Sequence, residues 1–360
     1  MDILIYFAIA IIIIWAIFKL LNYDNSAEKD KTRINNKPQS PGLWQRITAP
    51  HVPYDNQSLS WCSKLLAVDV VELKKILAYR DIHYKSFRIG KRSGGYRTIS
   101  APNEQLLNIQ KTIYNRILLP VGLHPAATGF RKDTSIKDNA KPHLGKRLVL
   151  KMDIVDFFGS IHEYRVRKIF QAIGYPVNVS DVLAALCCLR QRLPQGAPTS
   201  PALSNIAALE MDKKLAALAT KYNLTYSRYA DDMTFSGDEF EKDKLIKIVT
   251  KAVQSENFAV KRSKTRYMGE KQRKIVTGIS ISSGEKMTIP KSKKRQVRQQ
   301  VHYILTRGLD AHQRHIGNND PAYLKRLVGY LNFWLSVEPE NRYVRNSIKA
   351  LAKIKTVGIV

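Results

Sequence analysis

Two adjacent carboxylates, Asp231 and Asp232, interrupt an otherwise apolar stretch in the segment SRYADDMTFS, residues 227–236. Like charges side by side repel and resist desolvation, so the pair asks for a cation. A tight turn at Ala-Asp-Asp between two short strands would release both side chains from strict two-face alternation and aim them off one sheet edge. Two carboxylates make a poor Mg²⁺ site alone, because the octahedral shell takes carboxylates together with phosphate oxygens and water. Asp153, closing the apolar run RLVLKMD, is the best third ligand. Three such carboxylates suit two-metal phosphoryl transfer, with one ion activating an attacking hydroxyl and the other stabilising a leaving pyrophosphate.

Further segments occur in a definite order around these residues. DIVDFF (153–158), QGAPTSP (195–201) and YADD (229–232) together resemble the palm motifs of reverse transcriptases. NAKPH (139–143) and VTG (276–278) are similar to the N-A-x-x-H and V-T-G elements of the bacterial retron reverse transcriptases. The resemblance covers roughly residues 84–290. It implies an α+β right-hand polymerase of fingers, palm and thumb, acting as an RNA-directed DNA polymerase with dNTP substrates and Mg²⁺.

Residue by residue, it implies that Asp153, Asp231 and Asp232 are both catalytic and metal-binding. Phe158, five residues after Asp153, falls where an aromatic sugar gate stands, with Phe157 the neighbouring alternative. Gln195 and Gly196 match the loop under the incoming nucleotide, and Arg97 with Lys91 or Arg92 matches a fingers hairpin that clasps the triphosphate. A planar guanidinium suits phosphate geometry. Lys264 is expected either to protonate the pyrophosphate or to contact RNA backbone. RNA contact is likewise implied for Asn139, His143, Thr277 and Gly278, beside ordinary structural roles for a lone histidine and a strand-end glycine.

The elements that must position these residues are legible in outline. Residues 58–80 carry helical spacing in two short helices, with Asp69 capping the second. YKSFRIGKRSGGYRTISAP (84–102) reads as a hairpin turning at Gly94-Gly95, and helical spacing returns at 103–119. A buried strand within 146–158 leads into a helix, and another helix is expected over 182–192. A long helix should run from Pro201 to about Tyr222 with Ser200 as its cap, and one more near 241–256. A single strand is expected over 274–282 and basic helices over 290–360. Mixed strands and helices without βαβ regularity indicate an α+β class.

Composition agrees with a polyanionic partner. The chain has 59 Lys+Arg against 30 Asp+Glu, a net charge of +29 over 360 residues. Neutralising phosphates with such residues releases counterions. Basic positions are dense from 261 to 298, and Tyr303, Tyr330 and Trp334 follow, a pattern expected of a thumb that grips structured RNA by shape and stacking. The three cysteines, Cys62, Cys187 and Cys188, form no CxxC pair, which excludes a zinc ribbon or a disulfide framework.

The N-terminus breaks this pattern. ILIYFAIAIIIIWAIFKLL is apolar all round and about long enough to span a bilayer, and Lys19, Lys29, Lys31 and Arg33 follow it. The positive flank places that side in the cytoplasm. The expected organisation is a transmembrane anchor over 1–22, a linker over 23–42, fingers and palm over 43–289 and a basic helical thumb over 290–360. The expected location is the cell inner membrane, single-pass, with the catalytic domain cytoplasmic. By the resemblance, the partners are a structured noncoding RNA template, its branched RNA–DNA product and an effector protein in defence against phage. The alternatives are a group II intron or diversity-generating reverse transcriptase, or a catalytically idle RNA-binding membrane protein.

Overall fold

The computed structural model describes residues 53–91 and 94–354. The expected anchor and linker, and Arg92 of the fingers hairpin, lie outside the described residues. Among the described residues no helix is long and apolar enough to cross a membrane.

Local chemistry sets the first elements. Asp55 accepts from Ser58 N at 2.7 Å to open helix α1 (Asn56–Leu66). Asp69 accepts from Val71 N and Glu72 N to open α2 (Val70–Ala78), as its type and position predict. Strands β1 (Tyr84–Gly90) and β2 (Tyr96–Pro102) then pair antiparallel. The connection passes through Gly94 at φ 85° and Gly95 at φ 75°, a left-handed region that glycine enters without steric cost. Asn103 caps α3 (Glu104–Ile113), which widens into a π turn over Tyr114–Leu118. A Ser135–Asp138 capping box opens the short α4 (Ile136–Ala140).

Strand β3 (Leu148–Asp153) follows, then α5 (Glu163–Ile173), which stops at Gly174 with φ 112°. The helix expected over 182–192 is shifted toward the N-terminus: α6 covers Val177–Cys187. Cys188 is extended, and Arg190 and Gln191 turn left-handed at φ 49° and 60°, closing a bridge between Leu189 and Arg192 that ends the helix. The single helix expected from Pro201 to Tyr222 is two, α7 (Ser200–Ala207) and α8 (Leu209–Lys221), interrupted at Ala208. Ser200 is no cap. It lies inside α7, and its buried hydroxyl has no partner. The interruption lets α7 direct Asn205 to Gly129 O and α8 direct Asp212 to Arg228.

Strands β4 (Thr225–Tyr229) and β5 (Asp232–Gly237) form the hairpin that carries the acidic pair. After α9 (Lys242–Gln254) comes β6 (Arg266–Met268), completing an antiparallel sheet of order β4-β5-β3-β6. The strand expected over 274–282 is instead a small hairpin, β7 (Ile275–Val276) with β8 (Ile279–Ser280). It turns because Thr277 and Gly278 take φ 46° and 84°, which no continuous strand allows. Four helices follow, α10 (Lys291–Arg307), α11 (Leu309–His315), α12 (Tyr323–Val337) and α13 (Arg342–Leu351).

Two apolar cores result, and β3 belongs to both. Leu150 and Met152 enter the large cluster under α1–α3 and α5–α9, while Val149 joins Ala140 of α4 in the cluster of the C-terminal helices. Alternation along one strand thus fastens the helical block to the sheet.

Candidate active site

Register brings the three aspartates together. Asp153 pairs with Asp232 across β3 and β5, and Ile154 N donates to Asp231 O at 2.9 Å. The turn between β4 and β5 has only two residues, Ala230 and Asp231, with Ala230 at φ 57°. Such a turn needs support, and the Arg228 guanidinium supplies it. Its Nη1 donates to Ala230 O at 2.9 Å, while Nε and Nη2 donate to Asp212 at 2.8 and 2.6 Å. Tyr226 OH adds a third donor to Asp212 at 2.8 Å. Both Arg228 and Asp212 are fully buried, so this is a paired and saturated charge under the turn.

At the sheet edge each of two carboxylates holds a lysine. Lys264 Nζ lies 2.7 Å from Asp153 Oδ2, and Lys151 Nζ lies 2.9 Å from Asp232 Oδ2. The bond to Asp153 raises the Lys264 pKa, so the ammonium keeps its proton. Burial first, and the charge on Asp153 second, raise the carboxyl of Asp231 above its ordinary range. Negative charge at the edge is therefore only partly neutralised. Among the described residues no three acidic, His or Cys side chains are gathered closely enough to hold a metal ion as they stand. The donor set nonetheless fits a hard divalent cation: all oxygen, three carboxylates, and a residual repulsion that a cation would relieve.

The residues expected on the nucleotide side lie in three places. Phe157 is core, packed on Phe258 at 5.7 Å and beneath the Arg228 guanidinium. Phe158 is only half-buried, so of the two rings it is the one available to a ligand. Ser100 N of β2 donates to Gln195 O at 2.7 Å, and a Cβ on Gly196 would stand 2.7 Å from Ser100 O. The Gln195–Gly196 loop is thereby pinned to the β1–β2 hairpin, at a distance only glycine permits. Arg97 and Lys91 are exposed on that hairpin, with Lys91 N bonded to Gly95 O at 2.9 Å.

The residues expected to touch RNA divide differently. His143 is fully buried, with Nδ1 2.7 Å from Ser236 Oγ and Nε2 2.7 Å from Ser227 Oγ. Burial lowers its pKa to about 4. Asn139 is also fully buried, accepting from Thr128 Oγ1 at 2.9 Å and reaching Thr277 Oγ1 at 3.4 Å. Neither side chain is exposed for a polynucleotide. They join α4, the β4–β5 hairpin and the β7–β8 turn into one buried polar knot, to which Thr277 adds a bond to Ile136 O at 3.1 Å. Gly278 is exposed at the turn tip, and Lys264 stands at the carboxylates. Of the three aromatics expected to stack on RNA, Trp334 is fully buried, so stacking does not fall to it; Tyr303 and Tyr330 are half-buried. Lys291, Lys294, Arg295 and Arg298 of α10 line a basic groove.

Reasoning from sequence missed Arg228, Asp212, Lys151 and Phe130. Lys151 was findable, since it lies two positions before Asp153 on the same strand face. The Asp212–Arg228 pair joins a helix to a strand and leaves no local signature.

A family model described as Reverse transcriptase (RNA-dependent DNA polymerase) matches residues 89–304. The Retron Mx65 reverse transcriptase of Myxococcus xanthus is 36% identical over 265 residues, covering 68% of this chain and 61% of the relative. The Retron Ec86 reverse transcriptase of Escherichia coli is 31% identical over 296 residues, covering 81% of this chain and 88% of the relative. Among solved structures, telomerase from Candida albicans aligns with 75% of this chain and 63% of its own at a TM-score of 0.40 and 12% identity. The chain belongs to the reverse transcriptase family of RNA-directed DNA polymerases, and both of these relatives are retron enzymes.

Proposed function

We propose that the protein copies a dedicated, structured noncoding RNA into DNA, starting from an internal guanosine 2′-OH and so leaving a branched RNA–DNA product. The observation that carries the chemistry is the β3–β5 register, which sets Asp153 beside Asp232 and the Asp231 turn at one sheet edge. The retron relatives support the choice of template and product.

Asp153, Asp231 and Asp232 would hold Mg²⁺, which when bound supplies Lewis-acid activation of the attacking hydroxyl and of the leaving pyrophosphate. The chain's own groups do the rest. Arg97 and Lys91 face the triphosphate from the fingers hairpin, and the guanidinium fork orients it. The Gln195–Gly196 loop forms the floor under the base. Phe158 stands where a ribose 2′-OH would collide with its ring, which favours deoxynucleotides. Lys264 Nζ, 2.7 Å from Asp153 and protonated, is placed to hand a proton to the pyrophosphate as it leaves. The α10 groove draws the nucleic acid by charge. In the same reading residues 1–22 anchor the enzyme in the cell inner membrane with its catalytic domain cytoplasmic, where it serves an effector protein in phage defence.

Supplied with RNA template, dNTPs and Mg²⁺, the protein should make DNA. Asp231→Asn combined with Asp232→Asn should lower synthesis below detection while RNA binding persists. Undiminished synthesis by that double variant would refute the assignment of the site.

A further inference from the structure

Phe130 stands beside the sugar gate, and the catalytic hairpin itself puts it there. Residues 126–129 run along β4 as an added parallel edge. Arg228 N donates to Ala126 O at 2.7 Å, Thr128 N donates to Arg228 O at 2.9 Å, and Ala127 bridges to Arg228. Gly129 then approaches the acidic turn so closely that a Cβ on it would stand 2.5 Å from Ala230 N. Buried Asn205 Nδ2 fixes its carbonyl at 2.8 Å.

The next residue departs from what packing alone would choose. Phe130 adopts φ 59°, a left-handed conformation that is unfavourable for a bulky aromatic, and its ring is 40% exposed. A core role explains neither feature. The ring lies 5.8 Å from Phe158 at an interplanar angle of 40°, and 6.5 Å from Tyr229, the last residue of β4, at 41°. Phe157 meets Phe158 from another direction at 5.9 Å. Phe158 is thus walled by two rings, one buried and one presented by a strained, rigidly docked loop.

We propose that Phe130 is a positioning residue for sugar selection: its ring holds Phe158 in the orientation that collides with a ribose 2′-OH. This rests on Phe158 being the gate. A half-buried phenylalanine can swing about χ1, and a gate that swings rejects the extra hydroxyl weakly. Because Gly129 and Arg228 tie Phe130 to the turn bearing Asp231, gate and carboxylates stay in fixed relation. Sugar choice and chemistry are then referenced to the same piece of backbone.

Single-nucleotide incorporation of dNTP and the matching rNTP, measured with the full chain on a primed RNA template, tests this. Phe158→Ala should relax the dNTP-over-rNTP preference most. Phe130→Ala should relax it roughly three- to tenfold, the span of a lost aromatic pair, with dNTP incorporation near the parent rate. The double variant should be no more permissive than Phe158→Ala alone, because both changes act through one ring. Phe130→Leu keeps apolar bulk without a flat ring and should give a smaller shift in the same direction, which also serves if Phe130→Ala fails to fold. If Phe158→Ala relaxes selection and neither Phe130 variant does, the inference is overturned while the gate stands. If Phe158→Ala leaves the preference unchanged, the gate reading fails and takes the inference with it. A raised KM for dNTP and rNTP alike, with an unchanged ratio, would also overturn it and mark Phe130 as a stacking surface.

Discussion

The two ends of the β4–β5 hairpin solve opposite problems. At the turn, charge is concentrated and left partly unmet: three carboxylates share one edge, two lysines answer them, and burial raises the Asp231 pKa. Toward the other end, His143 spans Ser227 and Ser236 with both ring nitrogens satisfied and burial holding it neutral. Function requires the first end to be electrostatically uncomfortable. Rigidity requires the second to be neutral and fully bonded, because a partly satisfied buried network destabilises more than an apolar one. Arg228 and Asp212 stand between the two, a buried ion pair whose remaining donor grips the turn carbonyl.

That contrast can be broken most severely at its middle. Arg228→Met would leave Asp212 buried without its partner, and removing one member of such a pair costs about 3–5 kcal/mol. Denaturant unfolding should show a loss of that size together with loss of DNA synthesis. A loss under about 1 kcal/mol would mean that the turn is held by the sheet alone.

The neutral end is tested by pH. His143 has a folded pKa of about 4 against 6.5 for an ordinary histidine, so between those values the unfolded chain binds the extra proton. Stability from this group is complete above pH 6.5, falls as pH drops toward 4 and levels off below that, a total of about 3 kcal/mol. His143→Gln should flatten the slope of unfolding free energy in that window while the parent keeps it. Equal slopes would show that the ring is not the group titrating.

The smallest effect sharpens the link to the C-terminal block. Thr277→Val removes the hydroxyl that donates to Ile136 O and faces Asn139, and should cost about 1 kcal/mol. Its midpoint in thermal unfolding should fall with no change in sugar preference. A changed preference would mean that the knot also steers the ring proposed as the sugar gate.

Much of the scaffold was legible because its causes are local. Asp69 capped the helix expected of it, Gly94-Gly95 turned the hairpin, and the apolar run to Asp153 became the central strand. The acidic triad was legible for another reason: its motifs carry the chemistry in their own residue types. What escaped notice was set by distant partners. Asn139 read as an RNA contact and His143 as either an RNA contact or a structural histidine; both are buried, bonded to Thr128, Ser227, Ser236 and Thr277 from four other segments. Pro201 to Tyr222 keeps helical spacing throughout, and only the separate targets of Asn205 and Asp212 require two helices. The VTG segment reads as strand until its backbone turns left-handed at Thr277. Phe130 gave no sign, since nothing in its neighbours' identities announces a left-handed aromatic at an active site.

Strand order has a consequence for how the enzyme is made. The central strand β3 is flanked by β5 on one side and β6 on the other, and both lie later in the chain. While the ribosome is still adding residues, Leu150 and Met152 have no strand neighbour until Asp232–Gly237 has emerged, and Leu150 gains its second only with Arg266–Met268. Pairings so far apart in sequence form late, and an unpaired apolar strand invites association with other chains in the interval. Premature termination before Arg266 therefore leaves β3 with an open edge where β6 would pair, rather than a smaller complete sheet.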